Sequence, residues 1–280
     1  DGIRDRSPSR GLGDVYKRQV LGNNMSEENG NSDSSFVQLE GLTKSFGTQE
    51  ILRGVDLDMR SGETLVMIGS SGGGKSVVLK HITGLIKPDK GRVLIKGRDI
   101  ASLSSEELAM TRQRIGLLFQ NGALFDSMTV GQNVAFPLRE RNQGAPEKLI
   151  DKVIEALELV NLAQHINKMP VDLSGGMRKR VALARAMITH PELMLYDEPT
   201  AGLDPVASGV IDQLILQMQQ QYNVTSVVVT HDMQSANRIA DRIAFLHEGR
   251  VYFCGTPAEL RNNSDPVLAN FISGHSALPS

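Results

Sequence analysis

Two stretches of this chain carry residues whose types and spacing suit phosphate chemistry. Residues 69–76 read Gly69-Ser70-Ser71-Gly72-Gly73-Gly74-Lys75-Ser76 and fit G-x-x-x-x-G-K-[ST] at every fixed position. Glycines let backbone N–H groups turn inward around phosphate oxygens with no Cβ in the way. A helix beginning at Lys75 would point its positive N-terminal end at the same anion. Lys75 is then placed for the β- and γ-phosphates of ATP, and the Ser76 hydroxyl for Mg²⁺. Val77 closes the nucleotide-binding stretch; its side chain is expected to pack inward with no chemical role. The second stretch is Leu193-Met194-Leu195-Tyr196-Asp197-Glu198, an apolar run ending in two acids. Asp197 suits the Mg²⁺ shell. Glu198, one residue on, points elsewhere and suits a general base for water. Alone, two acids at a strand end would be ordinary solvated carboxylates; beside a phosphate cradle they supply what phosphoryl transfer requires.

Buried strands and helices must position these groups, and the sequence offers both. Residues 63–68, 115–119, 193–196 and 226–230 are short, apolar and strand-like, several of them buried-type. Residues 36–46 and 51–59 alternate around a turn at Gly47, and residues 92–96 form another strand between Gly91 and Gly97. Residues 243–247 and 250–253 flank Glu248-Gly249, a hairpin signal. Helices are expected from Lys75 to about Ile86, stopped by Pro88; from Ser104, whose capping box is completed by Glu107; over 146–160, started by Pro146; and from Ser174 to about Ile188. Buried strands alternating with helices predict an α/β domain with a mainly parallel sheet. Residues from about 121 to 173 read as mostly helical and could form a lobe of their own.

Composition excludes several alternatives. The 280 residues carry 30 basic and 32 acidic side chains, a net charge of −2, so no global basic field points to nucleic acid. Aromatics are 4% with no Trp, which leaves no stacking platform for single strands. Cys254 is the one cysteine, which rules out an internal disulfide and fits a reducing compartment; an inert, buried thiol is expected. No apolar run approaches the ~18–20 residues that span a bilayer, so any membrane crossing would fall to another chain. Residues 1–35 are expected to be a disordered or non-native segment, with Met25 as the natural start. They hold no signal-peptide core. Residues 262–280 read as a polar tail, or a short docking helix, with an apolar patch at Val267, Leu268, Phe271 and Ile272.

Further motifs give the chain a resemblance. Leu173-Ser174-Gly175-Gly176-Met177 lies upstream of the acidic strand and opens a helix. It resembles the signature of the ATP-binding cassette family, with Met177 where Gln is commonest. Phe46, in Lys44-Ser45-Phe46-Gly47, matches the aromatic that stacks on adenine. Gln120 matches the Q-loop glutamine, a ligand of Mg²⁺ or water. Ala201-Gly202-Leu203-Asp204 matches the D-loop, and His231 the switch histidine. The resemblance spans roughly residues 36–259. It implies a P-loop NTPase (RecA-like) α/β core with an antiparallel β-subdomain and an inserted α-helical subdomain, the ATP-binding domain covering 36–261 and the helical part about 121–173. It also implies a homodimer with ATP held between one copy's residues 69–76 and the other copy's Ser174, Gly175 and Gly176, with Asp204 of the D-loop among the nucleotide-binding residues. Glu198, His231 and Gln120 would then act in catalysis.

One cradle and one signature exclude a tandem cassette. The short spacing between them, without a long heptad run, excludes coiled-coil chromosome ATPases. Residues 121–138, which include Ala123, Leu124, Phe125 and Met128, are similar to the cassettes of Mla/Mkl-type lipid transporters. Met177 fits that group too. This likeness implies an integral permease, an MCE-domain lipid-binding protein, a STAS-domain subunit, and a peripheral place on the cytoplasmic face of a bacterial inner membrane. The cargo implied is phospholipid. Two other readings stay open: the ATPase of a polar-solute importer, and a soluble regulatory ATPase.

Overall fold

The computed structural model describes residues 35–141 and 146–273. The expectations for residues 1–34 and for the last part of the tail, 274–280, lie outside the described residues. Residues 49–60 alternate about their strand, burying Leu52, Val55, Leu57 and Met59 on one face. This strand, β2 (Gln49–Arg60), pairs antiparallel with β1 (Ser35–Phe46). β1 in turn pairs with β4 (Lys90–Ile95), and β4 with the two-residue β5 (Arg98–Asp99), giving the order β2-β1-β4-β5. The tight turn between β1 and β2 needs the positive φ of Gly47 (59°).

The second sheet has six strands in the order β10-β9-β3-β8-β7-β6. Its members are β3 (Thr64–Gly69), β6 (Ile115–Leu118), β7 (Leu193–Asp197), β8 (Thr225–Val229), β9 (Arg242–His247) and β10 (Arg250–Gly255). All pairs are parallel except the β9–β10 hairpin at the edge. β3 and β8 are buried along their whole length, as expected of parallel strands covered on both faces. Alternate residues feed two cores. Leu65, Met67, Leu195, Val227 and Val229 pack toward the four-stranded sheet and α1 (Lys75–Ile82). Val66, Ile68, Met194, Tyr196 and Val228 pack toward the helices on the other side. Those helices are α3 (Val130–Glu140), α4 (Pro146–Leu159), α5 (Gly175–Met187), α6 (Pro205–Tyr222) and α7 (Met233–Ile239), while α2 (Ser105–Gln113) lies before β6. Two short C-terminal helices follow, α8 (Pro257–Arg261) and α9 (Pro266–Ile272). Leu268 of α9 is buried and Phe271 packs on Phe245, so part of the expected tail is a docked helix. No helix among the described residues is long and apolar enough to cross a membrane.

Two local expectations are corrected. α1 ends at Ile82, four residues before the predicted stop. The Thr83 hydroxyl donates to the Leu79 and Lys80 carbonyls, and Gly84 turns with φ 65°, so the helix closes before Pro88 is reached. Cys254 is exposed, not buried. β10 is an edge strand with one open face, and its alternation turns Cys254 outward, where Sγ accepts a hydrogen bond from Arg242 Nη2 at 3.1 Å.

Candidate nucleotide site

The phosphate end is built by the turn from β3 into α1. Gly74 caps α1 with φ 96°, and a Cβ there would stand 2.7 Å from Leu52 Cδ2. Gly69 is equally constrained: a Cβ would meet the Leu246 carbonyl at 2.3 Å. Lys75 is 7% exposed, and its Nζ donates to the Gly69 and Ser70 carbonyls at 2.9 Å each. The ammonium is thereby aimed back over the loop. Burial lowers its pKa, against the carboxylates of Glu198 and Asp197, which raise it. Ser76 Oγ donates to Asp197 Oδ1 at 2.8 Å. The last residue of β7 and the first turn of α1, far apart in sequence, thus meet at one point.

Glu198 follows β7 with φ 51°, a left-handed conformation that non-glycine residues adopt at a cost. Its N–H donates to the Val229 carbonyl at 2.9 Å. Its side chain is 15% exposed, with Oε2 buried and lacking an aligned donor; His231 Nδ1 stands 2.9 Å away, off the hydrogen-bond line. A carboxylate in this setting has free acceptor capacity for a water proton.

These groups open on a single cavity of about 380 Å³. Phe46, Ser71, Gly72, Gly73, Gly74, Lys75, Ser76, Val77, Gln120, Asp197, Glu198 and His231 all reach it. Gly69 and Ser70 stand behind the wall and serve through their carbonyls. Val77 is half-buried: it packs on the core and also lines the cavity. Phe46 is 50% exposed at the far end, a free ring face suited to a base.

Ser174, Gly175, Gly176 and Asp204 do not join this cavity. They line a separate hollow of about 270 Å³ with Met177, Arg180 and Leu203. Ser174 is the N-cap of α5, its Oγ accepting from the Met177 N–H at 3.3 Å. Asp204 caps α6, accepting from the Val206 and Ala207 N–H groups at 2.9 Å each. Within one chain the two expected halves of the ATP site are therefore apart.

The family profile of the ABC transporter matches residues 52–201, more than half of the chain. The chain belongs to the ABC transporter family. It is an ATP-binding, ATP-hydrolysing subunit of that family. It is 42% identical over 238 residues to a Mycobacterium leprae protein described as a probable ribonucleotide transport ATP-binding protein, mkl, covering 85% of this chain and 69% of that one. It is 38% identical over 248 residues to the intermembrane phospholipid transport system ATP-binding protein MlaF of Haemophilus influenzae, covering 88% of this chain and 94% of that one. Among solved structures, the dimeric post-hydrolysis state of the ATP-binding cassette MJ0796, bound to ADP and Pi, superposes with a TM-score of 0.72 at 35% identity, covering 79% of this chain and 98% of that one.

Lys179 is a functional residue for which the sequence carries no motif. It is 6% exposed on α5, and its Nζ donates to the Glu198 carbonyl at 3.3 Å and the Ala201 carbonyl at 2.6 Å. It fastens the backbone of Glu198 in its left-handed turn. No local signal could have revealed this, because the partners lie 19 and 22 residues away. Lys179→Met should lower ATP turnover by about 10–100-fold while ATP binding holds, since a displacement of ~1 Å at a reacting group costs about that much. Steady-state ATPase against nucleotide titration checks it; parallel loss of both would mean a folding role instead.

Proposed function

We propose that this ABC ATPase powers phospholipid transport between the inner and outer membranes of a bacterial envelope, as a homodimer docked on an integral permease. The observation that carries the cargo is the alignment with MlaF over 94% of that protein's length, joined to the surface after Gln120. There Phe125, 40% exposed, and Phe119, 45% exposed, line a groove of about 440 Å³ with Phe136, Pro137 and Arg185. The groove is built rather than accidental. Arg185 donates through Nη1 to the Ala123 carbonyl and through Nη2 to the Gly122 carbonyl, each at 2.8 Å. Buried Asn133 bonds both the N–H and the carbonyl of Phe125. A rigid apolar groove beside the glutamine that reaches the nucleotide cavity suits a short permease helix. A periplasmic MCE-domain lipid-binding protein and a small cytoplasmic STAS-domain subunit would complete the assembly, with this chain peripheral on the cytoplasmic face of the inner membrane.

The site's own residues support hydrolysis in this arrangement. Phe46 would stack on adenine, and the N–H groups of residues 71–77 would ring the phosphates with Lys75 among them. A hard divalent cation needs oxygen donors. The Ser76 hydroxyl and the Asp197 carboxylate meet at 2.8 Å beside the phosphate loop, and Gln120 reaches the same cavity, so the donor set fits Mg²⁺. Bound there, the ion would neutralise charge developing on the β- and γ-phosphate oxygens. Glu198 takes the proton of the attacking water, and His231 borders the same carboxylate. The hollow at Ser174 of a second copy would close over the γ-phosphate and bring the N-terminus of α5 to it. The likeness to a cassette described as dimeric supports the pairing of two copies.

A polar-solute importer is the second reading, favoured by the 42% identity to the mycobacterial protein described for ribonucleotide transport. Copurification from native membranes in mild detergent, with mass spectrometry of attached chains, separates the two. The expected result is a permease together with an MCE-domain protein. A permease with a polar-solute binding protein would overturn the lipid cargo. Absence of any membrane partner would overturn transport itself.

A further inference from the structure

The two ends of the nucleotide cavity stand on different sheets. Phe46 ends β1 of the four-stranded sheet, whereas Gly69 ends β3 of the six-stranded one and residues 70–76 follow it. A nucleotide bridges them, so the distance between ring and phosphate loop must be held by something. Asp89, in the link from α1 to β4, ties that link to the run directly before Phe46. Its N–H donates to the Thr43 carbonyl at 2.9 Å. Its Oδ1 accepts from Lys44 Nζ at 2.7 Å and its Oδ2 from the Ser45 N–H at 2.7 Å. Lys44, with a side chain only 17% exposed, in turn places its ammonium 5.7 Å from the centre of the Phe46 ring. That distance is within cation–π range. The hydrogen bond from Lys44, joined by that from Ser45, holds the Asp89 carboxyl below the usual range, so it stays ionised. The same link follows the helix whose first turn carries Lys75 and Ser76. The chain thus leaves the phosphate loop, runs through α1, and returns to grip the base shelf.

We infer that Asp89 is a positioning residue for the nucleotide base: through Thr43, Lys44 and Ser45 it fixes the Phe46 ring relative to the phosphate loop. This rests on the reading that Phe46 receives adenine. A residue that only stabilised the fold would weaken binding of any triphosphate. A residue that sets the shelf affects only ligands that carry a base.

The test is calorimetric titration of the full chain with Mg-ATP and with Mg-tripolyphosphate, which keeps the phosphates and has no base. Asp89→Ala should weaken ATP by about three- to tenfold, the size of one aromatic contact, and leave tripolyphosphate unmoved. Asp89→Asn, which keeps an acceptor for the Ser45 N–H, should fall between. Phe46→Ala should weaken ATP by a similar factor, and the double variant should be no weaker than the worse single one, since the two act through the same contact. Equal weakening of ATP and tripolyphosphate by Asp89→Ala would overturn the inference. So would full ATP affinity in Asp89→Ala when Phe46→Ala has lost it, and this outcome would leave the adenine shelf intact. Full ATP affinity in Phe46→Ala would sink the shelf reading, and the role of Asp89 with it.

Discussion

Glu198→Gln should lower ATP turnover by about 10²–10⁴-fold, the loss expected when a general base is removed, and should leave an ATP-bound dimer that persists through gel filtration. The substitution is nearly isosteric. It keeps the backbone bonds that hold residue 198 in place, from its N–H to the Val229 carbonyl and from Lys179 Nζ to its own carbonyl. What it removes is the charge on Oε2, the buried oxygen with no aligned donor. Binding groups at the phosphate loop and at Phe46 are untouched, so ATP enters as before. Hydrolysis is what would break the bridge between the copies; without it the closed form accumulates. The checks are a steady-state ATPase assay and elution volume with Mg-ATP against Mg-ADP. Normal turnover in Glu198→Gln would remove the general-base assignment. Lost turnover with a monomeric elution volume in ATP would remove the bridging role of the nucleotide.

Most of the elements around this carboxylate could be read from the sequence, because their signals are local. The phosphate loop is eight consecutive residues, and the strand 193–197 is a run of apolar side chains ending in acids. The capping box at Ser104 and Glu107 appears as expected, with both of its bonds formed. The sequence offered Ser76 and Asp197 to one Mg²⁺, and the resemblance gave Glu198 and His231 to catalysis, but the contacts that join each pair emerge only in the fold. Helices α6 and α7 went unread. Asp204 before Pro205 is a helix-start pattern, yet the D-loop reading absorbed it, and the Asp204 carboxylate turns out to cap α6. α7 is only seven residues long and carries little periodicity. It is fixed from outside: buried Asp212 of α6 accepts from Ser235 Oγ and from Arg238.

What the sequence could not reveal was the set of side chains that position others. Lys179, Arg185, Asn133 and Asp89 act on backbone carbonyls and N–H groups, which every residue has. A side chain that recognises a backbone leaves no complementary residue type to look for. Such contacts become visible only once β7 is laid beside β8, α5 beside the segment after Gln120, and the link at Asp89 beside β1.

The separation of the two hollows makes the second large prediction. Ser174→Arg should lower turnover by about 10²–10³-fold, as removal of a pre-aimed transition-state donor does, while monomeric chain binds ATP with its original affinity. Ser174 lines none of the nucleotide cavity of its own chain, so ATP contacts there are unaffected. The arginine instead fills the hollow that a second copy's γ-phosphate would enter, and bars closure. One side effect must be separated. Ser174 is also the N-cap of α5, and losing a cap costs about 1 kcal/mol. Ser174→Asn keeps the cap, so its melting temperature should match the parent's, and its turnover loss then measures the hollow alone. The decisive experiment mixes the arginine variant with Glu198→Gln. A head-to-tail dimer of one copy each has one site with a live base facing an intact signature, and one with a dead base facing a blocked signature. The first site is complete, so the mixture should regain turnover that neither variant shows alone. A mixture that stays inactive is the result expected if each chain hydrolysed ATP with its own signature residues, and it would overturn the head-to-tail site that the separation of the two hollows calls for.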